Sequence, residues 1–245
     1  MKHFYVNEDK LSCELSERLK KVYGFEFSYA VFPKDFGIFN STRNRDEVNL
    51  LKYPIFSTSS KGACVASRLI YMYMSDSRRS TKTPNLASWL ESNFLNALKT
   101  GEPHNEYKEE FLLSNQVSSL FSVTVSEHED DFAGFFFMYS NALKQHDMES
   151  KIKNSGLKLQ LDTLHFYLTR RYPRVTNPNF YNGSMKERTA EILHLTASGK
   201  SCNEIMQIIP LSANGVNYHL DRAKSLLNAR NKVELIYNAK QSCFI

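Results

Sequence analysis

Apolar residues recur at different periods along this chain, and the changes of period mark out its elements. Leu11, Leu15, Leu19 and Val22 follow at steps of four, four and three. That spacing predicts a helix over Glu8 to Tyr23 with these four on its buried side, ended by Gly24. Phe25 to Phe32 (FEFSYAVF) is dense in aromatic and β-branched residues, as strands are. A short turn at Pro33 to Asp35 then leads into FGIF, which predicts a hairpin. Helices are expected over Gly62 to Met74 and Leu86 to Lys99. Two further strands, Ser118 to Ser126 and Phe132 to Tyr139, are separated by the acidic turn EHEDD. Leu157, Leu161, Leu164 and Leu168 then mark the buried face of one long helix over Asp147 to Arg171. Strand pairs interleaved with helices predict an antiparallel sheet flanked by helices, an α+β fold.

From Arg171 to Ser184 runs RYPRVTNPNFYNGS, with two prolines, three asparagines and a glycine in fourteen residues. A stretch of this kind is not expected to hold a helix or strand register, and it reads as a linker between domains. The expected organisation is therefore residues 1–172, a linker at 173–183, and a second domain at 184–245.

The second domain is all-α by its pattern. Met185, Thr189, Ile192, Leu193 and Thr196 stand at helical spacing, and Gly199 supplies a stop. Ser201 with Glu204 three residues later forms a capping-box pattern, which satisfies two amide donors at a helix start. The short helix that follows carries Ile205, Met206 and Ile209 inward, and Pro210 breaks it. Ser212 caps the next helix, whose apolar set is Val216, Leu220, Ala223 and Leu227. A short helix, a tight break and a longer helix make up the helix-turn-helix plan, whose second helix enters the major groove of DNA. The face opposite its apolar set carries Asn214, Asn217, Tyr218, Asp221 and Arg222. Asparagine can bridge adenine, arginine can reach guanine or a phosphate, and tyrosine can meet a phosphate or a thymine methyl. Ser212 and the first amides of that helix are placed for a backbone phosphate. His219 lies beside the core positions and reads as structural.

Over about 55 residues this block resembles the LuxR/GerE-type (FixJ-type) DNA-binding domain. The matching features are Arg188, Glu191-Ile192-Leu193, Ala197-x-Gly199-Lys200-Ser201, Glu204-Ile205, Leu211-Ser212, Val216-x-x-His219-Leu220, Leu227 and Arg230-Asn231. The resemblance implies a four-helix domain that binds double-stranded DNA, with a fourth helix at about Lys232 to Lys240 as a dimer contact. It implies groove-reading positions at Asn217, Tyr218 and Asp221, and phosphate positions at Ser212 and Lys200. Arg230 is a further candidate for DNA, though a solvated surface accounts for it equally. Three positions depart from the family's pattern. Thr189 replaces a glutamate, Gly215 replaces a threonine at the start of the recognition helix, and Asp221 puts an acid where relatives carry basic or neutral residues.

The N-terminal pattern of helix, glycine, aromatic strand and hairpin resembles the opening of autoinducer-binding or PAS-like sensor domains. That implies a transcription regulator, a homodimer, with an α+β sensor followed by the all-α helix-turn-helix domain. Acyl-homoserine-lactone sensors carry a Trp-Tyr-Asp-Pro-Trp set, whereas this chain has one tryptophan, Trp89, and no Asp-Pro. The expected signal is accordingly a small molecule other than a standard acyl-homoserine lactone, with Phe27, Tyr29, Tyr53, Tyr71 and Trp89 as candidate pocket residues. With 17 Phe and 13 Tyr in the chain, plain core packing is the competing account of each. A degenerate sensor controlled by protein contact is the alternative.

Bulk properties narrow this picture only slightly. Of 245 residues, 42% are hydrophobic and 23% charged, as in ordinary globular proteins. No apolar run reaches membrane-spanning length, and charged residues near the N-terminus do not suit a signal peptide, so a cytoplasmic location without membrane contact is expected. The net charge is +5. From Ser184 onward eight Lys or Arg stand against five Asp or Glu, which suits a polyanionic partner without requiring one. Cys13, Cys64, Cys202 and Cys243 are scattered and imply neither disulfides nor a metal. No nucleophile elbow, phosphate-binding glycine loop or HExxH pattern occurs, so neither catalytic residues nor a cofactor are expected.

Overall fold

Leucine on one side of the first helix, and alternating large aromatics on two adjacent strands, set the plan of the N-terminal half. The computed structural model describes residues 10–33, 54–79, 86–100, 106–125, 132–181, 185–241 and 244–245. Contacts divide the chain into two units, Met1–Leu168 and Thr169–Ile245.

In the first unit, helix α1 (residues 10–23) contains a π-helical turn at Ser16–Lys20. It buries Leu11, Leu15 and Leu19 but leaves Val22 63% exposed, so Val22 does not share the buried side expected of it. The π turn widens the helix by one residue per turn and shifts the final turn off the leucine stripe. Gly24 then takes a left-handed φ of 74° and turns the chain into β1 (Glu26–Pro33). The described partners of β1 are β2 (Phe56–Ser57) on one side and β4 (Phe132–Ser140) on the other, and β3 (Ser119–Val125) completes the antiparallel order β2-β1-β4-β3. The hairpin expected through FGIF lies outside the described residues.

Register decides which side chains share a face. Ala30 opposes Phe135 and Ser28 opposes Phe137, while Phe27 opposes Met138 and Tyr29 opposes Phe136. The first face, with Ala30, Phe32, Phe135, Phe137 and Tyr139, packs on α2 (Ser60–Arg79), α3 (residues 86–100) and α4 (Glu106–Ser114) through Val65, Leu69, Trp89, Phe94 and Phe111. Helix α4 lies outside the expected elements, because its sequence shows no clear apolar stripe. The second face meets the segments after and before it in sequence. Tyr29 hydrogen-bonds the ring of His165 at 2.8 Å and stacks obliquely on Phe136, and Phe27 packs near Tyr23 at the end of α1. Helices therefore cover both faces of the sheet.

The long helix expected over Asp147 to Arg171 is two helices, α5 (Gln145–Asn154) and α6 (Leu157–Arg171). Gly156, at a φ of 63°, makes the break. The predicted leucine face survives it, with Leu157, Leu161, Leu164 and Leu168 all buried. At the start of α5 the buried Gln145 side chain donates to the carbonyl of Leu120 and accepts from its amide, both at 3.0 Å, and so completes the ladder at the outer edge of β3.

The candidate pocket residues are placed apart from one another. Phe27 and Tyr29 lie on one face of the sheet and Trp89 packs against the other, all three as fully packed core. Tyr71 points outward at 55% exposure, and Tyr53 lies outside the described residues. The described members of the set do not surround one space. Trp89 instead donates its indole N–H to Asp76 at 3.0 Å, the pairing a buried indole needs.

The second unit begins with the segment read as a linker. It holds two single-turn helices, α7 (Pro173–Thr176) and α8 (Pro178–Tyr181), each opened by a proline whose missing N–H costs nothing at a first helical position. Val175 and Thr176 are buried, and Phe180 packs its ring against Phe244. The segment is thus part of the packing of the C-terminal unit, because its prolines start turns rather than only breaking them. Among the described residues no helix is long and apolar enough to cross a membrane.

Candidate nucleic-acid interface

Among the described residues, four helices build the rest of the C-terminal unit: α9 (Glu187–Ala197), α10 (Cys202–Ile208), α11 (Ala213–Leu226) and α12 (Lys232–Gln241). Their limits are set by local chemistry. Gly199, at a φ of 82°, ends α9. Ser201 Oγ accepts from the Glu204 amide at 3.3 Å, while the Glu204 carboxylate accepts from the Ser201 amide at 2.8 Å, so the expected capping box is present. The Ser201 amide, then its hydroxyl, then the Lys200 ammonium hold the Glu204 carboxyl down to about 2, so it stays ionised and keeps its hydrogen bonds. Ser212 caps α11 by accepting from the Gly215 amide at 3.2 Å.

Helix α11 is positioned by what it buries. Val216 and Ala223 are fully buried, and Leu220 and Leu227 partly so. Val216 joins Ile192, Ile205 and Ile209 in one cluster; Ala223 joins Leu193 and Leu235 in another. The helix is thereby clamped between α9, α10 and α12, and its roll about its own axis is fixed. The opposite face is consequently outward. Asn214, Asn217, Tyr218 and Asp221 are all exposed, Tyr218 at 60%, and lie at i, i+3, i+4 and i+7 as one stripe. Arg222 is half-buried at the side of that stripe.

The remaining sequence candidates are placed less uniformly. Lys200 pairs with Glu204 at 3.2 Å on the surface, a contact weak enough to exchange for another anion. Asp221 pairs with Lys224 at 3.0 Å, so its charge is partly offset on its own helix. Arg230 lies beyond the far end of α11, which spans about 21 Å, and is therefore not gathered with Ser212. The Arg230 amide donates to Glu234, and Asn231 Oδ1 accepts from the Glu234 amide at 2.9 Å to cap α12. This second cap is absent from the expected set, although Asn followed by Glu three residues later is legible as one. Asn228, in the left-handed region at a φ of 49°, turns the chain between α11 and α12, and Asn238 ties them by donating to the Leu227 carbonyl.

His219 is half-buried, with Nδ1 2.8 Å from Thr189 Oγ1, which agrees with a structural role at the crossing of α9 and α11. Burial, then the charges of Arg188, Arg222 and Lys186, push its basicity down. The departure from the family's pattern at Thr189 thus has a partner. A short hydroxyl, rather than a carboxylate, meets the imidazole. Among the described residues no group of three His, Cys, Asp or Glu side chains could hold a metal ion.

Arrangement and comparison agree. No curated protein matches the chain by sequence. Among solved structures it is similar to Escherichia coli SdiA crystallised in space group P6522, at 15% identity over 97% of this chain and 92% of that one, with a TM-score of 0.36. It is similar also to SdiA in complex with octanoyl-rac-glycerol, at 18% identity over 96% and 88% of the two chains and the same TM-score of 0.36. The family model of GerE, described as bacterial regulatory proteins of the luxR family, matches residues 184–239, the same span that holds the capped helices and the exposed stripe of α11. The chain therefore carries, at residues 184–239, a DNA-binding domain of the luxR family of bacterial regulatory proteins.

Proposed function

We propose that this protein is a cytoplasmic, dimeric transcription regulator that reads a specific sequence in double-stranded DNA with α11. The observation that carries this reading is the outward stripe of Asn214, Asn217, Tyr218 and Asp221 on a helix whose opposite face is buried. Asn217 and Tyr218 meet base edges, Asn214 and Asp221 flank them, and Ser212, Lys200, Arg222 and Arg230 are the phosphate contacts. Dimer formation is supported by α12, which exposes Val233 at 81% and Tyr237 at 62%, one turn apart on the helix that the family resemblance assigns to dimer contact.

The test is an electrophoretic shift on genomic fragments with salt varied, followed by Asn217→Ala plus Tyr218→Ala. Wild-type protein should select fragments whose binding survives salt that removes nonspecific association. The double variant should lose at least about 1–3 kcal/mol of that selection, the worth of one good bidentate contact from Asn217. Unchanged selection by the double variant would refute the reading.

Control of the regulator by a small molecule in the N-terminal unit is the first form of the proposal. A second form, control by protein contact, is favoured by one observation: the expected pocket aromatics Phe27, Tyr29 and Trp89 are packed core on opposite faces of the sheet. Thermal-shift measurements with fractionated cell extract separate the two. A ligand at 100 times its dissociation constant adds about 2.7 kcal/mol, a visible rise in melting temperature. A flat response to every small-molecule fraction leaves the protein-contact form.

A further inference from the structure

Around His219 the fold gathers Arg222 with two further cations, Lys186 and Arg188, that the proposed DNA contacts do not include. The hydrogen bond between Thr189 and His219 pins the first turn of α9 against the middle of α11. Lys186, the N-cap of α9, stands three residues before Thr189, and Arg188 is adjacent to it. Arg222 stands three residues after His219, one turn along α11. Lys186 and Arg188 are exposed, and Arg222 and His219 are half-buried. An acid engages the group at one edge, where Glu191 pairs with Arg188 at 3.0 Å. Burial first, then the charges of Arg188, Arg222 and Lys186, lower the basicity of the imidazole.

The angular position of this cluster on α11 suggests what it faces. At 3.6 residues per turn, Arg222 lies about 90° and His219 about 150° from the centre of the stripe formed by Asn214, Asn217, Tyr218 and Asp221. The buried Val216 and Ala223 lie about 190–210° round. Arg222 and His219 therefore form the shoulder of the helix, between its reading face and its core face, on the side of α9. A helix about 10–12 Å across fills a major groove about 12 Å wide, so its shoulders meet the groove walls, which are phosphate backbone. In the tautomer that accepts the Thr189 hydroxyl at Nδ1, 2.8 Å away, the ring proton sits on Nε2 and can be donated to a phosphate oxygen.

We propose that Lys186, Arg188, His219 and Arg222 form a binding site for a backbone phosphate of duplex DNA on the groove wall beside α9, separate from the contacts at Lys200 and Ser212. The site rests on the proposed DNA-binding function and adds Lys186, Arg188 and His219 to it. It fixes the depth and tilt of α11 in the groove and contributes nothing to the choice of sequence.

The test is fluorescence anisotropy of the full chain on a selected fragment and on a scrambled one, each over a series of potassium chloride concentrations. Lys186→Gln plus Arg222→Gln removes two phosphate contacts. The slope of log K against log salt should become shallower by about 1.8, with affinity lost on both fragments and their ratio unchanged. Asn217→Ala is the counterpart, expected to change the ratio and keep the slope. Lys186→Gln alone, at an exposed position, should take half the slope change and guards against any unfolding by the double variant. A wild-type slope in Lys186→Gln, with the double variant losing only the Arg222 share of about 0.9, would overturn the site while leaving the DNA-binding function intact. Failure of the wild-type chain to bind any fragment would overturn both.

Discussion

Gly215 is the third residue of α11, where a glycine spends helix stability without a visible return. Its backbone is not in the left-handed region, and a Cβ built there would stand 3.5 Å from Leu211 Cβ and Cδ2 and 3.6 Å from Ser212 Oγ, all ordinary contacts. The hydrogen bond from its amide to Ser212 Oγ does not involve the Cβ and would persist. Gly215→Ala should therefore stabilise α11 by about 1 kcal/mol, the usual difference between glycine and alanine within a helix. That corresponds to about a fivefold rise in the protection of amides that exchange by local opening of α11. Hydrogen exchange of the Val216 to Ala223 amides in the full chain is the suitable measurement. The single tryptophan, Trp89, lies in the N-terminal unit, so its fluorescence does not follow α11. The salt slope of DNA binding should stay the same, since no charge changes. Unchanged or reduced protection in Gly215→Ala would refute the reasoning. It would mean that α11 needs a conformation that alanine disfavours.

Gly134 should behave in the opposite way. On β4 a Cβ would come within 2.7 Å of His165 Cε1 and closer still to Nδ1, and the ring is buried against Tyr29. Gly134→Ala should destabilise the N-terminal unit by about 2–4 kcal/mol through crowding and the lost Tyr29–His165 hydrogen bond, read as a lower urea midpoint in Trp89 fluorescence. His165 also sets a pH dependence. Burial, opposed in part by Asp162, holds it down to about 4, against 6.5 in the unfolded chain. The unfolded chain therefore binds the extra proton between those values. The contribution is intact above pH 6.5 and declines by about 1.4 kcal/mol per pH unit towards pH 4, below which this group adds no further loss. Unfolding free energies from Trp89 fluorescence across pH 4 to 7, for wild type and His165→Gln, should show that slope removed in the variant; parallel profiles would show that His165 is not the group responsible.

The sequence by itself determined the C-terminal unit almost completely, because each of its boundaries is set by chemistry within a few residues. A left-handed Gly199, a Ser201–Glu204 cap and a Ser212 cap act locally, and the apolar steps from Val216 to Leu227 fix the roll of α11 regardless of distant partners. The leucine stripe of α6 and the aromatic strands were legible for the same reason. What only the tertiary structure decided were matters of pairing across long separations. Phe27 and Tyr29 could be read as strand residues, but their placement on the face opposite Trp89 depends on the register of β1 with β4 more than a hundred residues later. The prolines at 173 and 178 look like breakers in sequence and start packed turns in space, because buried partners such as Phe244 for Phe180 reward the turn. The cations around His219 are likewise scattered over 37 residues, and one hydrogen bond between two helices brings them to a common point. Local hydrogen-bonding rules can be read along a chain; which faces meet depends on contacts whose partners the chain does not name.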